Sequence, residues 1–567
     1  MIVTAIIHLK LKRKLKINRK YMIAKQLIEP KSIVVVGGSD DIHKPGGTVL
    51  RNLQDGNFKG SLYVVNPKMD EVQGIKAYRD VKDLPEVDCA ILAIAAKFCP
   101  STVEVLAKQK NTKAFIILSA GFHEENEEGA KLERQIVETI NSVGGSLIGP
   151  NCIGVLTNHY SGVFTSPIPE LNPQGVDLIS GSGATALFIM DSGMQKGIKF
   201  NSMYSVGNSA QLGVEEILEY MDESFDPKTS SRVKLLYVES IEKPEKLLKH
   251  ASSLIRKGCR IAAVKSGGSA AGSRAASSHT GALASSDVAV EALFRKAGIV
   301  RCNGRDELMT VAGIFMHPEM KGRNMAVVTH AGGPAVMLTD ALSNGGMDVP
   351  HIEGEKAQEL LGKLFAGSSV GNPIDFLATG TAEQLGYILD ACDRDFDNID
   401  GMAVIFGSPG LFPVFDVYNV LDEKMKTSKK PIFPIFPSSK IVKDEIAEFV
   451  SKGRVYFPDE VLFGNALCKI YKTPAPQPEH FEMPDMDVKK IREVVDNAQN
   501  GYLSPDEIHA LLDAAGVARA KEGVSDNEEE IVKMAKEIGF PLVMKVVGPI
   551  HKSDVGGVVL NVGDEET

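Results

Sequence analysis

One histidine, His279, lies among serines, alanines and glycines in the segment SRAASSHTGALASSD, which runs from Ser273 to Asp287. Small residues allow another backbone or a charged ligand to approach closely. Three roles are open to an imidazole in this setting: a buried or helix-capping side chain, a general base, or a covalent carrier whose neutral ring nitrogen attacks phosphorus. The third role requires an orienting carboxylate, a mobile segment of small residues, and a phosphate site at each end of the transfer.

The sequence contains candidates for all three requirements. Glu239 ends the predicted strand LLYVES and is suited to orient the ring, although an acidic residue at a strand end is commonly only solvated. Glycine, serine and alanine dominate residues 266–286. The combination of these features with two glycine turns favours covalent phosphoryl transfer over the other two roles.

The two turns share composition and spacing. When Ser180 is aligned with Thr329, Gly183 aligns with Gly332, and in both places a predicted strand delivers a hydroxyl and glycines to the start of a predicted helix. Exposed amides and the helix dipole favour phosphate there, although either turn alone is also how any doubly wound domain is built. The predicted phosphate-binding residues are Ser180, Gly181, Ser182, Gly183, Ala331, Gly332 and Gly333.

A third group of candidates follows the first predicted strands. GGSDDIHKPGG, at 37–47, occupies the position where doubly wound domains bind nucleotides, but it has neither G-x-G-x-x-G nor a Walker lysine, so ordinary NAD or P-loop chemistry is not supported. Lys68, in VNPK, is suited to a phosphate, although such lysines are often only solvated. In GPNCIG, Asn151 can bond its own backbone or a ligand, whereas Cys152 has no partner base and is more simply a small buried residue.

The elements that position these residues follow a repeated pattern. Apolar runs such as SIVVVGG, CAILAIA and AFIILSAGF alternate with helix-sized amphipathic segments, which predicts parallel sheets covered on both faces. The pattern restarts at GVDLISGSG and again at NMAVVTHAGG, so we expect an α/β fold with three successive doubly wound domains. After the Pro-rich KTPAPQPEHFEMP, LSPDEIHALLDAAGV predicts a Ser-capped helix, and FPLVMKVVG and GGVVLNVGD predict strands. The predicted divisions are 22–152, 153–322, 323–472, a linker at 473–484, and 485–567.

Composition excludes several classes of protein. Of the 567 residues, 43% are hydrophobic and 24% charged, as in ordinary globular proteins. The net charge of -10 argues against a nucleic-acid partner, and the lack of a run of 18 apolar residues argues against a membrane span. The 7 cysteines include no C-x-x-C pair, which argues against a zinc site and favours a reducing compartment, the cytoplasm by default. Residues 1–21 are basic after a short apolar part, the reverse of a secretory signal; we expect an extension with no part in the fold, with a basic surface anchor as the alternative.

From Met22 to Thr567 these motifs resemble those of the ADP-forming acyl-CoA synthetases (acetate–CoA ligase, ADP-forming), relatives of succinyl-CoA synthetase. SSHTGALA resembles the family's phosphohistidine loop, which implies that His279 is phosphorylated. YVESIE resembles the strand whose carboxylate steadies this histidine, which implies Glu239. ISGSGA and THAGGPA resemble the two phosphate-binding helix starts of the family's flavodoxin-like domains.

The same resemblance implies a CoA site and a nucleotide site. GGSD, VNPK and GPNCIG resemble parts of a Rossmann-like CoA-binding domain. The implied CoA-binding residues are Gly38, Ser39, Lys68, Asn151 and Cys152. MKVVGPIHKSDVGGVVLNV resembles the opening strands of an ATP-grasp domain, in which Lys545 contacts nucleotide phosphates and His551 matches a second, relaying histidine. Because the rest of that domain and its acidic magnesium ligands would follow Thr567, we expect no metal ligands within this chain, and either a truncated chain or one completed by a partner chain.

The implied reaction converts acyl-CoA, ADP and phosphate into a carboxylate, CoA and ATP through an acyl phosphate and a phosphohistidine. Acetate is the family's commonest acid, with branched-chain and aryl acids as alternatives, and ADP and GDP are both open. The main rival from another class is a CoA-responsive regulatory module of the kind fused to protein acetyltransferases, against which the retained His279 argues. A nucleotide-dependent oxidoreductase is a more remote rival, because the glycine fingerprint is missing. A homo-oligomer is open as well.

Overall fold

The computed structural model describes residues 23–56, 58–280, 286–408, 410, 413–478, 484–499, 501, 503–547 and 557–566, without the side chains of 276–280. The predicted extension at 1–21 lies outside the described residues. The chain divides into two compact units at Gln477 and Pro478. The first unit holds three sheets, each with helices packed on it.

The first sheet is built from the apolar runs that the sequence predicts. Its seven strands have the order β3-β4-β2-β1-β5-β6-β7, so the strand order reverses between β1 and β5. Ile33 and Val35 pack into one core cluster and Val34 and Val36 into another, so the sheet is covered on both faces. The strands are β1 (Ser32–Val36), β2 (Ser61–Val65), β3 (Glu71–Val72), β4 (Ile75–Tyr78), β5 (Cys89–Leu92), β6 (Ala114–Ile117) and β7 (Ser146–Ile148). The helices are α1 (Lys25–Ile28), α2 (Pro45–Asp55), α3 (Cys99–Gln109) and α4 (Glu127–Ser142), with 3₁₀ turns at Val81–Asp83 and Ala96–Phe98.

The second sheet carries the first glycine turn and the strand that ends before Glu239. Its order is β14-β13-β12-β10-β11-β8-β9, and its switch point lies between β10 and β12. The strands are β8 (Gly154–Leu156), β9 (Ser161–Val163), β10 (Leu171–Ser180), β11 (Phe200–Ser205), β12 (Val233–Val238), β13 (Arg260–Lys265) and β14 (Val300–Cys302). The helices are α5 (Gly183–Gln195), α6 (Val214–Glu223), α7 (Pro244–Arg256), α8 (Ala270–Thr280), α9 (Asp287–Ala297) and α10 (Arg305–Phe315).

The third sheet carries the second glycine turn. Its four parallel strands have the order β16-β15-β17-β18. The strands are β15 (Met325–Thr329), β16 (Ile374–Asp375), β17 (Gly401–Ile405) and β18 (Ile432–Ile435). The helices are α11 (Gly332–Asn344), α12 (Glu355–Leu361), α13 (Ala382–Arg394), α14 (Phe415–Thr427), α15 (Lys443–Ser451) and α16 (Glu460–Lys472).

The second compact unit is small and has its own sheet. Ser504 caps α18 and accepts a hydrogen bond from the amide of Glu507 at 3.3 Å, as the sequence predicts. Strands β19 and β20 pair antiparallel. The elements are α17 (Val488–Asn497), α18 (Pro505–Ala514), α19 (Glu528–Ile538), β19 (Leu542–Lys545) and β20 (Val558–Val562).

The α/β fold class with parallel-sheet domains is confirmed, and the sheet edges add one feature. The β3–β4 and β8–β9 pairs are antiparallel, and β8 joins β11 antiparallel, so short hairpins close the edges of two otherwise parallel sheets. The domain boundaries given above stay predictions. Among the described helices, none combines the length and apolar character that a membrane crossing needs.

Candidate active site at the carboxyl edges of three sheets

The first glycine turn is shaped by a serine hydroxyl. Ser180 Oγ donates to the carbonyl of Ser182 at 2.7 Å and accepts from the amide of the same residue at 3.2 Å. The amide of Gly181 donates to the carbonyl of Tyr237 at 2.9 Å, which joins the turn to the neighbouring strand β12. Two of the predicted phosphate-binding amides, those of Gly181 and Ser182, therefore have partners within the protein.

The amides that stay open lie at the start of α5. Ser182 caps this helix and accepts from the amide of Thr185 at 3.4 Å. In the described part of the chain, no acceptor lies on the amides of Gly183 and Ala184, which point out of the first helical turn. A side chain at Gly183 would lie 2.6 Å from Ile153 Cγ2, so glycine is needed for the helix to approach the loop after β7.

The second glycine turn repeats this construction. Thr329 Oγ1 donates to the carbonyl of Ala331 at 2.8 Å and accepts from its amide at 3.0 Å. The space in front of α11 is open, since a Cβ at Gly333 would meet no described atom within 4 Å, and one at Gly332 would meet Asp375 Oδ2 at 3.6 Å. The alignment of Ser180 with Thr329 in the sequence thus corresponds to the same hydroxyl geometry in both turns.

Both helices that follow the turns belong to one hydrophobic core. Ala186 and Ile189 from α5 share a buried cluster with Ala335 and Leu338 from α11. The second and third sheets therefore share one core, to which the helices that begin at the two predicted phosphate sites both contribute. A packed core transmits position between the sites because it deforms little.

Glu239 lies beside the first turn. Strands β10 and β12 are neighbours in register, with Ser180 opposite Tyr237, and Glu239 follows β12 directly. A Cβ at Gly181 would be 4.0 Å from the backbone nitrogen of Glu239. His279 belongs to α8, and its side chain lies outside the described residues, so the contact between His279 and Glu239 stays a prediction.

A cavity of about 580 Å³ opens between α5 and the base of α8. Thr185 and Tyr237 line one side, and Lys265 and Arg305 contribute positive charge, whereas Arg301 is ion-paired with Asp287, which also lines the cavity. Burial lowers the pKa of Lys265, whose ammonium donates to the carbonyl of Gly267 at 3.2 Å. A cavity with this charge, next to open helix amides, is suited to an anion such as orthophosphate.

The residues that flank the segment containing His279 lie close together, and one of them is held by an ion pair. Arg301 Nη2 bonds to Asp287 Oδ1, and a Cβ at Gly268 would lie 2.7 Å from the same oxygen. Arg301 Nη1 also bonds to Glu291 Oε2 at 2.9 Å. Residues 268 and 287 therefore lie against each other at the foot of α8.

The predicted CoA-binding residues of the first strands share one edge of the first sheet. Asn66 Nδ2 donates to the carbonyl of Gly38 at 2.9 Å and its Oδ1 accepts from the amide of Lys68 at 2.9 Å. Ser39 Oγ accepts from the amide of Asp41 at 3.1 Å. The Lys68 side chain is exposed. These contacts place the ends of β1 and β2 together next to the switch point, where open α/β sheets bind ligands.

The loop after β7 brings Asn151 to the second sheet and buries Cys152. Asn151 has a left-handed backbone, with φ 56°, and its amide donates to the carbonyl of Ser119 at 2.9 Å. Cys152 is 3% exposed, its thiol donates to the carbonyl of Ile117 at 3.3 Å, and burial raises the pKa of the thiol to about 12. Asn151 is therefore exposed in this loop, whereas the Cys152 side chain is buried beneath it.

Several residues at these edges were missed by the sequence analysis. Asn208, in the loop after β11, and Glu124, in the loop after β6, meet in front of Asn151. The signal available for Asn208 is VGN, which directly follows β11, a strand that the sequence analysis did not predict. His330 sits in the second turn, where its ring stacks on Phe406 at 4.3 Å and burial lowers its pKa.

In the second unit, Lys545 ends β19 and pairs with Val558. Its side chain is exposed. His551 lies outside the described residues. Among the residues that the structure describes, no three His, Cys, Asp or Glu side chains form a group that could hold a metal ion.

Three family models match the chain. A CoA binding domain matches residues 31–158, a succinyl-CoA ligase like flavodoxin domain matches 173–315, and an ATP-grasp domain matches 494–567. These matches fall on the first sheet, on the second sheet with the first glycine turn, and on the second compact unit.

Curated relatives match along nearly all of the chain. An ADP-forming acetate–CoA ligase I from Archaeoglobus fulgidus is 33% identical over 554 residues, which cover 95% of this chain and 78% of the relative. In Pyrococcus furiosus, the alpha subunit of an ADP-forming acetate–CoA ligase I is 30% identical over 81% of this chain and 100% of the subunit. The beta subunit of that enzyme is 43% identical over 83 residues, 14% of this chain and 36% of the subunit.

A solved structure has a similar fold over most of the chain. It is the dinucleotide forming acetyl-coenzyme A synthetase 1 from Ca. Korarchaeum cryptofilum, in complex with phosphate and ADP. The match has a TM-score of 0.70 at 26% sequence identity and covers 79% of this chain and 96% of that chain.

Proposed function

This chain belongs to the family of ADP-forming acyl-CoA synthetases, and we propose that it interconverts acyl-CoA, ADP and orthophosphate with a carboxylate, CoA and ATP. CoA, phosphate and the adenine nucleotide are its ligands. The observation that carries the residue roles is the pair of matching hydroxyl turns, at Ser180 and Thr329, which precede helices packed in one core.

In the first step, orthophosphate attacks the carbonyl carbon of the thioester. A C–O bond forms, the C–S bond breaks, and the CoA sulfur takes the proton that phosphate loses. The open amides at the start of α5 hold the phosphate, while the loop containing Asn151, against which Gly183 packs through Ile153, holds the end of CoA. Fixed amides stabilise the charge of the acyl phosphate without offering a competing proton.

In the second step, a ring nitrogen of His279 attacks phosphorus. A P–N bond forms and the P–O bond to the acyl group breaks, which releases the carboxylate. Glu239, accepting a hydrogen bond from the other ring nitrogen, keeps the attacking lone pair free and stabilises the cation that results. The backbone of Glu239 lies next to Gly181, and this position beside the proposed phosphate site supports the role.

In the third step, a ring nitrogen of His551 attacks the phosphorus, so a new P–N bond forms as the bond to His279 breaks. An oxygen of the terminal phosphate of ADP then attacks the same phosphorus, a P–O bond forms, and the P–N bond to His551 breaks. We assign contact with the nucleotide phosphates to Lys545 and a relay to His551. The region that matches the beta subunit covers 36% of it, so further ATP-grasp residues take part, on the same polypeptide or on a partner chain.

The seven free, buried cysteines support a reducing compartment, the cytoplasm.

The test is labelling of the protein with ³²P-orthophosphate and acetyl-CoA, without ADP. We expect an acid-labile, alkali-stable label on the wild-type chain and none on His279→Ala, while CoA binding by the variant stays within about threefold. CoA binding by the wild type without any label would favour the regulatory module instead. A label that survives His279→Ala would remove the proposed role of this residue.

A further inference from the structure

Three loops from two different sheets, those after β6, β7 and β11, meet around Asn151, in the loop proposed to hold the end of CoA. Asn151 donates its amide to the loop after β6 at Ser119, and the loop after β11 donates the amide of Asn208 to Pro150 O at 2.9 Å. A Cβ at Gly207 would lie 2.3 Å from the same carbonyl. The backbones of the CoA-binding part and the ligase part therefore touch here with no side chain between them.

The side chain of Glu124 joins the loop after β6 to the loop after β11. Its Oε1 accepts from the amides of Gly121 at 2.7 Å and Phe122 at 3.2 Å, and its Oε2 accepts from Asn208 Nδ2 at 2.5 Å. Burial alone would raise the pKa of Glu124, but the hydrogen bonds from Asn208 and these amides hold it below its usual range. The carboxylate is therefore ionised at neutral pH, when its hydrogen bond to Asn208 is strongest.

The carboxamide of Asn208 has only one favourable orientation. Its Nδ2 donates to Glu124 and also to Glu133 Oε2 at 3.1 Å, and its Oδ1 faces Asn151 Nδ2 at 3.4 Å. Glu133 is further engaged by His123 Nδ1 at 2.8 Å, and this hydrogen bond raises the pKa of His123. A rotation of the amide would place its oxygen against two carboxylates, so the network fixes which atom faces Asn151.

Backbone strain is concentrated at the same place. Asn151 has φ 56°, Gly207 has φ 51° and Ser209 has φ 53°. Left-handed backbone at two residues other than glycine costs conformational free energy. Strain of this kind clusters at functional sites.

We propose that Glu124 is a positioning residue of the acyl-transfer step: it holds Asn208, and through Asn208 it fixes Asn151 in the loop after β7. This proposal rests on the proposed function. A misplacement of about 1 Å at a reacting centre costs up to roughly 100-fold in rate, so loss of this network lowers the rate of phosphoenzyme formation more than it lowers CoA affinity.

The test uses the full chain, acetyl-CoA and ³²P-orthophosphate, and measures the single-turnover rate of labelling, the affinity for CoA and the thermal midpoint. Glu124→Gln preserves shape but presents an amide to a donor, and Asn208→Asp places a third carboxylate beside two others. We expect each to slow labelling about 10- to 100-fold with CoA affinity within about threefold. Glu128→Gln, an exposed residue near the start of α4, is the matched control and keeps the wild-type rate.

The double variant Glu124→Gln with Asn208→Asp reverses the donor and the acceptor of one hydrogen bond, and we expect it to label at least about tenfold faster than Asn208→Asp alone. A purely structural contact would instead change the thermal midpoint and the rate together. Labelling of Glu124→Gln within twofold of wild type, or no gain in the double variant, would overturn the proposal. His279→Ala is run beside them, since a label on that variant refutes the proposed function whatever Glu124 does.

Discussion

His317 makes the packing between the two turn-bearing sheets sensitive to pH. It follows α10, is 5% exposed, and packs its ring 5.0 Å from Phe433 and 5.7 Å from Phe457, which belong to the third sheet and its neighbouring loop. Its Nδ1 donates to the carbonyl of Gly313 at 2.8 Å, and within the described residues its Nε2 has no hydrogen-bond partner. A protonated ring would carry a second donor into hydrocarbon with no acceptor.

Burial lowers the pKa of His317 from 6.5 to about 4. Between these values the unfolded chain binds a proton that the folded chain does not, so the stabilising contribution is fully present above pH 6.5 and is lost as pH falls toward 4. At ~1.4 kcal/mol per pH unit, this group alone removes about 3 kcal/mol of unfolding free energy over that window.

The assay is urea unfolding at pH 7 and at pH 4.5 for wild type and for His317→Gln, whose amide can still donate to Gly313. Other carboxylates also titrate, so the quantity compared is the change in unfolding free energy between the two pH values. We expect this change to be about 2 to 3 kcal/mol smaller in the variant than in wild type. His43→Gln, at an exposed histidine, is the control and keeps the wild-type dependence. Equal pH dependence in wild type and His317→Gln would refute the reasoning.

Two further predictions concern the phosphate sites. Gly183→Ala forces a methyl group to within 2.6 Å of Ile153, so we expect a loss of about 1 to 3 kcal/mol in unfolding free energy and a fall of more than tenfold in labelling. Gly333→Ala has open space in front of it and should change the unfolding free energy by less than about 1 kcal/mol. Equal stability of the two variants in urea would contradict the packing argument. Glu239→Gln should slow acid-labile labelling by about tenfold or more with CoA affinity unchanged, by rapid-quench assay, and an unchanged rate would remove its orienting role.

The parts of the molecule that the sequence predicts well are those set by local patterning. Val34 and Val35 face opposite core clusters because successive side chains of a strand point to opposite faces. An apolar run with no polar positions therefore predicts a sheet that is covered on both faces. The matching turns at Ser180 and Thr329 were visible for the same reason, since a hydroxyl three residues before a helix start leaves a local signature.

The parts that sequence reasoning missed depend on contacts between distant segments. Glu124 and Asn208 are 84 residues apart and come from different sheets, so nothing in either local motif indicates that they meet. The antiparallel strands β8 and β9 are three residues each, too short to show a period. Which amides of the first turn stay open also depended on tertiary structure, because the partner of Gly181 lies on β12.

The central claim is that the imidazole of residue 279 carries the phosphoryl group. The most direct measurement is mapping of the labelled site. After incubation with acetyl-CoA and ³²P-orthophosphate, the chain is cleaved with trypsin at alkaline pH and the peptides are identified by mass spectrometry. The account predicts that the peptide from the segment between Arg274 and Arg295 is phosphorylated, with the phosphoryl group on His279. A phosphoryl group found on any other residue, with His279 unmodified, would contradict it.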